Sequence, residues 1–199
     1  MDEVTLIVGL GNPGREHSTT RHNVGFRAVD HLAHSLAISF SRQRFEAFVA
    51  SGIHLGRKVI LAKPQTYMNL SGGSVAALVR FFHVPLENLL VCADDIDLPL
   101  GTLRLRPFGG SGGHRGLRSI ITALGSQSFP RLRIGVSRPP GVMVAADYVL
   151  QDFDHQEQTE VAAVIVRASD ALHTVLEHGL DAAMTRFNGD LRTAAGGNE

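Results

Sequence analysis

Apolar positions along the chain change their spacing several times, and each change marks an element. Val4 to Val8 is a short β-branched run that ends in glycines, the pattern of a buried strand. From Asn23 the period lengthens. Val29, Leu32, Ala33 and Leu36 recur at helical spacing, with Asp30, His31 and His34 on other faces. Phe45 to Ile53 and Lys58 to Ala62 read as two strands joined through Gly56 in a hairpin. Ser71 to Phe82 is helical through Val75, Leu78, Val79 and Phe82, and Pro85 bars its extension. Leu89 to Ala93 is a further apolar strand. Gly101 to Arg106 and Arg131 to Val136 alternate Arg with Leu or Ile, the period-2 sign of strands with one wet face. Leu117 to Leu124 predicts a short helix, Gln156 to Glu177 a long one ending at Gly179, and Leu180 to Phe187 a last short one. The polar end, AAGGNE, predicts a disordered tail over 194–199. Alternating strands and helices predict one α/β domain over 1–193. Its expected fold is an α/β/α layered one with a mixed, mostly parallel central sheet covered by helices.

Composition narrows the class. The chain has 199 residues, 44% apolar and 19% charged, which suits a globular domain with a full core. No run approaches the ~20 apolar residues of a membrane span, and MDEVTLIV has no stretch long enough for a signal peptide. With one cysteine, Cys92, inside the apolar run LLVCA, the expectation is a cytoplasmic protein holding a buried, inert thiol. Net charge is zero, but its distribution is uneven. Between Thr102 and Arg138 lie seven arginines and no Asp or Glu, a local basic face able to track phosphates.

Two glycine motifs invite misreading. Gly9-Leu10-Gly11-Asn12-Pro13-Gly14 satisfies the dinucleotide pattern G-x-G-x-x-G. That use requires a helix opening at the third glycine and an acid roughly 20 residues on at a strand end. Here the polar stretch REHSTTRH follows, Asp30 falls within a helix, and Pro13 removes one N–H from the cradle. Gly109 to Gly113, GGSGG, matches the G-x-S-x-G nucleophile elbow, with Asp147 or Asp154 and His155 or His173 in the order a triad would need. Four glycines around one serine satisfy that pattern in any flexible loop.

Polar residues that a packed core would not select cluster at or just after strand ends: Asn12, His22-Asn23, Tyr67-Met68-Asn69 and Asp94-Asp95. Ligands of open α/β sheets bind in the crevice at the carboxyl ends of strands. Each residue also has a structural use as a turn former or helix cap. Together they compose a hydrolytic set, with a histidine base, a carboxylate to orient it and amides to hold a carbonyl.

The motifs GLGNPG, TRHNVGF, KPQTYMNLSG, DDIDLPLG, GGSGGHRGLRSI and RLRIGVSRPPG, in this order, closely resemble bacterial peptidyl-tRNA hydrolase from about Leu6 through Phe153. The resemblance implies a monomeric, metal-free and cofactor-free esterase. It would cleave the ester joining a peptide to the terminal ribose of tRNA, including peptidyl-tRNA on stalled large ribosomal subunits, with no membrane partner. By position, His22 matches the family's base, Asp94 the carboxylate that holds the imidazole, and Asn69 an amide that positions substrate or water. Asn12 matches the residue that favours a peptide-like amide over a free amine, and Tyr67 an aromatic tRNA contact. Arg106 and Arg133 match a basic pair that clamps a tRNA phosphate.

Two positions depart from the family pattern. His17 stands at a tRNA-contact position where Tyr is common. Arg115 replaces the Asn of GGHNGL, and a guanidinium donates but cannot accept a hydrogen bond. Three rival readings define the alternatives: a non-catalytic RNA-binding relative, a serine esterase using Ser111, and a nucleotide-binding oxidoreductase.

Overall fold

The computed structural model describes residues 4–190. The predicted tail lies outside the described residues. In chain order the elements are β1 (Val4–Gly9), α1 (Val24–Ser35), β2 (Arg42–Arg44), β3 (Ala47–His54), β4 (Arg57–Pro64), α2 (Ser71–Phe82) and β5 (Leu89–Asp95). They continue as β6 (Thr102–Arg106), α3 (Arg115–Leu124), β7 (Arg131–Gly135), α4 (Ala145–Tyr148), α5 (Gln158–His178), α6 (Leu180–Phe187) and β8 (Gly189–Asp190).

The eight strands among the described residues join one mixed sheet in the order β2-β3-β4-β1-β5-β7-β6-β8. The central strands β4, β1, β5 and β7 are parallel to one another. The flanking pairs β2–β3, β3–β4, β6–β7 and β6–β8 are antiparallel. The expected hairpin is present: His54 pairs with Arg57 across Leu55-Gly56, both at positive φ as a two-residue turn requires.

Alternation along the strands sorts the core into two layers. Ile7, Leu61, Cys92, Leu132 and Ile134 pack under α1, α5 and α6. Leu6, Val8, Ile60, Val91 and Ala93 pack under α2 and α3. Strands covered on both faces explain the unbroken apolar runs of β1 and β5. One expectation fails within this frame. The Arg/Leu alternation predicts a wet arginine face on β7, yet Arg131 is only 1% exposed. Loop carbonyls of Gly109, Gly110, Gln127 and Phe129 close over its guanidinium.

The first glycine motif serves backbone contact. A Cβ on Gly9 would fall 2.4 Å from the Gly25 carbonyl oxygen, and one on Gly25 would fall 2.5 Å from that of Cys92. Without side chains there, the first turn of α1 sits directly against the ends of β1 and β5. The third glycine, Gly14, opens only a three-residue 3-10 turn (Arg15–His17), and α1 begins ten residues later at Val24. The first turn of α1 meets this loop through the loop's own backbone, Phe26 N donating to the Leu10 carbonyl at 3.2 Å, and is not opened by the third glycine as a pyrophosphate site would need.

Candidate active site

The carboxyl ends of the central strands open into a cleft of about 480 Å³. On its floor, Asp94 at the end of β5 accepts two hydrogen bonds on one oxygen. His22 Nδ1 lies 2.7 Å from Asp94 Oδ1, and His114 Nε2 lies 2.9 Å from the same atom. All three side chains are almost wholly removed from water. Burial by itself would raise the Asp94 carboxyl. The two imidazoles, by their charge when protonated and by hydrogen bonding, outweigh burial and hold it well below the usual carboxylate range. An ionised carboxylate only accepts, so His22 must donate from Nδ1, which leaves Nε2 as its basic nitrogen. His114 is fixed from the other side. Its Nδ1 accepts the backbone N–H of Gly116 (3.1 Å) and Leu117 (3.2 Å), capping α3, so its proton sits on Nε2.

His22 rests in a short 3-10 turn (Arg21–Asn23), and both its neighbours anchor that turn. Arg21 is buried between the rings of Tyr148 and Phe153 and forms a two-point ion pair with Glu157 at 2.6 and 2.9 Å. The His22 amide donates to the Val149 carbonyl at 2.8 Å. Asn23 does not cap α1. Its carboxamide grips the backbone of Asn12, accepting from Asn12 N and donating to Asn12 O, each at 2.9 Å.

Asn12 in turn accepts the Met68 amide on Oδ1 at 2.9 Å, so the NH₂ half of its carboxamide remains for a ligand. Asn69 lines the cleft and does not cap α2, whose N-terminus has no side-chain cap. Tyr67 stands at the rim, 65% exposed, with a ring face available for stacking. Ile96, Ala145, Ala146, Val149 and Leu150 give the opposite wall an apolar lining.

The arginines divide by environment. Arg104, Arg106, Arg131 and Arg133 share one face of the β6–β7 pair, because opposite residues in an antiparallel ladder point the same way. Arg131 is structural; burial and the charge of Arg133 bring its guanidinium down to about 10. Arg133 reaches the cleft and sits 3.3 Å from Asp95 Oδ2. Arg106 is exposed, opposite Arg131 and diagonal to Arg133, outside the cleft lining. Arg138 pairs with Asp97 at 2.6 Å. Arg115, the first residue of α3, lines the cleft beside His114.

The cleft therefore gathers Asn12, His22, Tyr67, Asn69, Asp94, Arg115 and Arg133 from the sequence-derived set. His17 lies outside it, in the 3-10 turn after Gly14. Sequence reasoning passed over His114 and Arg21, and gave Asn23 only as one of the polar residues at strand ends. The HN of TRHN and the GGH before α3 were visible, but only the fold reveals which atoms they hold. Among the described residues no hydrogen bond joins the Ser111 hydroxyl to Asp147, Asp154, His155 or His173, so the serine-esterase arrangement is not assembled there. The Ser111 carbonyl accepts from Arg133, Asp154 caps the turn before α5, and His173 is on α5 bonded to Ser35. The donor atoms of His22, Asp94 and His114 lie within 4.8 Å of one another, as metal ligands do. Here the protons on the two imidazoles and the amide bonds to His114 Nδ1 account for that proximity.

The family model for peptidyl-tRNA hydrolase matches residues 6–195. A peptidyl-tRNA hydrolase of Chloroflexus aggregans is 52% identical, the alignment covering 92% of this chain and 98% of that one. One from a Thermoanaerobacter species is 45% identical over 92% and 99% of the two chains. A crystal structure of peptidyl-tRNA hydrolase from Acinetobacter baumannii superposes with a TM-score of 0.88 at 36% identity, covering 94% of this chain and 96% of that one.

Proposed function

The chain belongs to the peptidyl-tRNA hydrolase family, and on that premise we propose that it hydrolyses the ester between a peptide and the 3′-terminal ribose of tRNA with water as nucleophile and His22 as base. The observation that carries the reading is the 2.7 Å bond between His22 Nδ1 and Asp94 at the floor of the cleft. It presents Nε2 as the acceptor for a proton from water. Water oxygen attacks the ester carbonyl carbon as Nε2 takes its proton. The tetrahedral intermediate then collapses, the carbon–ribose oxygen bond breaks, and the imidazolium returns the proton to the ribose oxygen. Asp94 stabilises that imidazolium while it exists, as in triad logic without the serine. The amide NH₂ of Asn12 suits the carbonyl of a peptide-like substrate and offers nothing to a free ammonium group, a basis for rejecting aminoacyl-tRNA.

The nucleic acid would approach along Tyr67 and the arginines. Tyr67 offers a stacking face for a terminal base, and the diagonal of Arg106 and Arg133 suits a phosphate. Arg115 would exchange the family's amide contact for a phosphate or carbonyl contact. Arg133 comes to this task partly neutralised by Asp95. The same chemistry extends to peptidyl-tRNA on stalled large ribosomal subunits, with the protein acting as a monomer.

Hydrolysis in ¹⁸O-labelled water tests which ester bond breaks, and Ser111→Ala tests the nucleophile. Under single turnover the label is expected in the released peptide carboxylate, with Ser111→Ala as active as the parent. Trapping of an acyl-enzyme, or loss of activity in Ser111→Ala, would contradict the reading.

A further inference from the structure

At the end of the sheet opposite the cleft, a second group of polar side chains converges from separate elements. His54 ends β3, where it closes the hairpin against Arg57. His173 and Glu177 lie one turn apart on α5. His54 Nε2 is 3.5 Å from Glu177 Oε1, and His173 Nδ1 is 4.0 Å from the same oxygen. The two imidazoles meet edge to face with centroids 5.4 Å apart. His54 Nε2 is shielded from water yet makes no hydrogen bond. Such an atom carries a cost unless something binds it.

The tautomer of His173 is set from behind. Ser35 Oγ is 2.9 Å from the Leu32 carbonyl and 2.9 Å from His173 Nε2. A hydroxyl has one proton, and a carbonyl can only accept. Ser35 therefore donates to Leu32 and accepts from His173 Nε2–H. The lone pair of His173 is left on Nδ1, facing the carboxylate and His54. Metal-binding histidines are oriented in just this way, with the distal N–H held by a fixed acceptor.

We propose that His54 Nε2, His173 Nδ1 and Glu177 Oε1 form a binding site for a borderline divalent metal ion, with zinc as the reference case. Two neutral imidazoles and one carboxylate match the nitrogen and oxygen donors that such ions take, and water would complete the shell. The donor atoms lie within 4.8 Å of one another. Bonds of about 2.0–2.2 Å place tetrahedral donors roughly 3.4 Å apart, so closure requires side-chain shifts of about 1 Å. His54 and His173 are partly exposed and Glu177 more so, which gives an ion access and the side chains room to close. A bound ion would join the β3–β4 hairpin to α5, with α1 behind it through Ser35. Its effect is on stability at this end of the fold, away from ester hydrolysis.

Titration of the full-length protein with Zn²⁺ by calorimetry, and with Co²⁺ by visible absorption, tests this. One equivalent is expected to bind. His54→Gln and His173→Gln should each weaken binding by more than about tenfold, and Ser35→Ala by about 10- to 100-fold through the freed tautomer. Peptidyl-tRNA hydrolysis without added metal should be unchanged in all three, which also verifies their folding. Asp94→Asn, which alters the cleft cluster, should bind the ion as the parent does. The proposal is overturned if no saturable binding is found, if both histidine variants bind with parental affinity, or if binding is lost in Asp94→Asn. Parental affinity in Ser35→Ala would overturn the oriented site.

Discussion

His22 and His114 converge on one carboxylate oxygen, 2.7 and 2.9 Å from Asp94 Oδ1, with their ring centroids 5.1 Å apart. The two rings are not equivalent. His114 is committed at both nitrogens, while His22 keeps one nitrogen for chemistry. His114 is thus a positioning residue. It holds Asp94 in place and, by donating to it, keeps the carboxylate ionised so that His22 retains its tautomer.

Replacing His114 separates its two duties. His114→Asn can still cap α3 but cannot reach Asp94 in the same way, so stability should fall by the roughly 1.5–3 kcal/mol of a hydrogen bond to a charged group, with the α3 cap kept. A hydrogen bond to a charged group is worth about 1.5–3 kcal/mol, so kcat should fall by about tenfold or more with KM nearly unchanged. Steady-state kinetics beside thermal unfolding reads both effects. An unchanged kcat would remove His114 from the catalytic arrangement.

Arg21 supports the turn that carries His22. Its guanidinium is buried between two aromatic rings and paired at two points with Glu157. Arg21→Met keeps volume but leaves Glu157 unpaired. Urea unfolding should register a loss on the order of 2–4 kcal/mol, near the lower part of the range for broken buried pairs because Glu157 is partly exposed. Arg21→Lys should retain charge but lose the planar fork and the stacking, giving an intermediate loss. Equal stability of all three proteins would contradict this role.

Asp94 should leave a mark on the acid limb of stability. Its pKa is lowered in the folded protein from an ordinary value of 3.8. The linked stabilisation is therefore fully present above that ordinary value and is lost as pH falls through the lower folded one. Asp94→Asn cannot show this loss. The stability gap between parent and variant should shrink below about pH 4, while a gap constant from pH 7 down to pH 3 would contradict the shift.

The arginines can be sorted by salt dependence. If Arg106 and Arg115 each contact a phosphate, Arg106→Gln and Arg115→Asn should weaken tRNA binding and lower the slope of log K against log salt by roughly 0.7–1 each. Arg138→Gln, whose parent side chain pairs with Asp97, should have a smaller effect. Unchanged affinity and slope in Arg115→Asn would show that Arg115 does not take up a phosphate contact.

Much of the fold was legible because burial imposes a period. α2 and α6 occupy the stretches their apolar spacing marks, and β1 and β5 read as buried because helices cover both faces. β2, with three exposed polar residues, and the two-residue β8 carry no period to read. α4 has four residues, too few for a helical repeat to emerge. The wet face predicted for β7 failed at Arg131 because the loop over it supplies carbonyls, a tertiary event that alternation cannot encode. In the site, residue type and motif pointed to His22, Asp94 and Asn12 as candidates, and the fold brings them into one cleft. His114, Asn23 and Arg21 act by holding other groups. That work depends on which atoms face each other, and local sequence does not contain it.

The most direct measurement is peptidyl-tRNA hydrolysis by His22→Ala, with tRNA binding measured beside it. Loss of a general base should reduce kcat by about 10²–10⁴-fold while binding stays within a few-fold of the parent. Substantial hydrolysis by His22→Ala, or a collapse of binding that alone explains the lost activity, would contradict the assignment of His22 as the base.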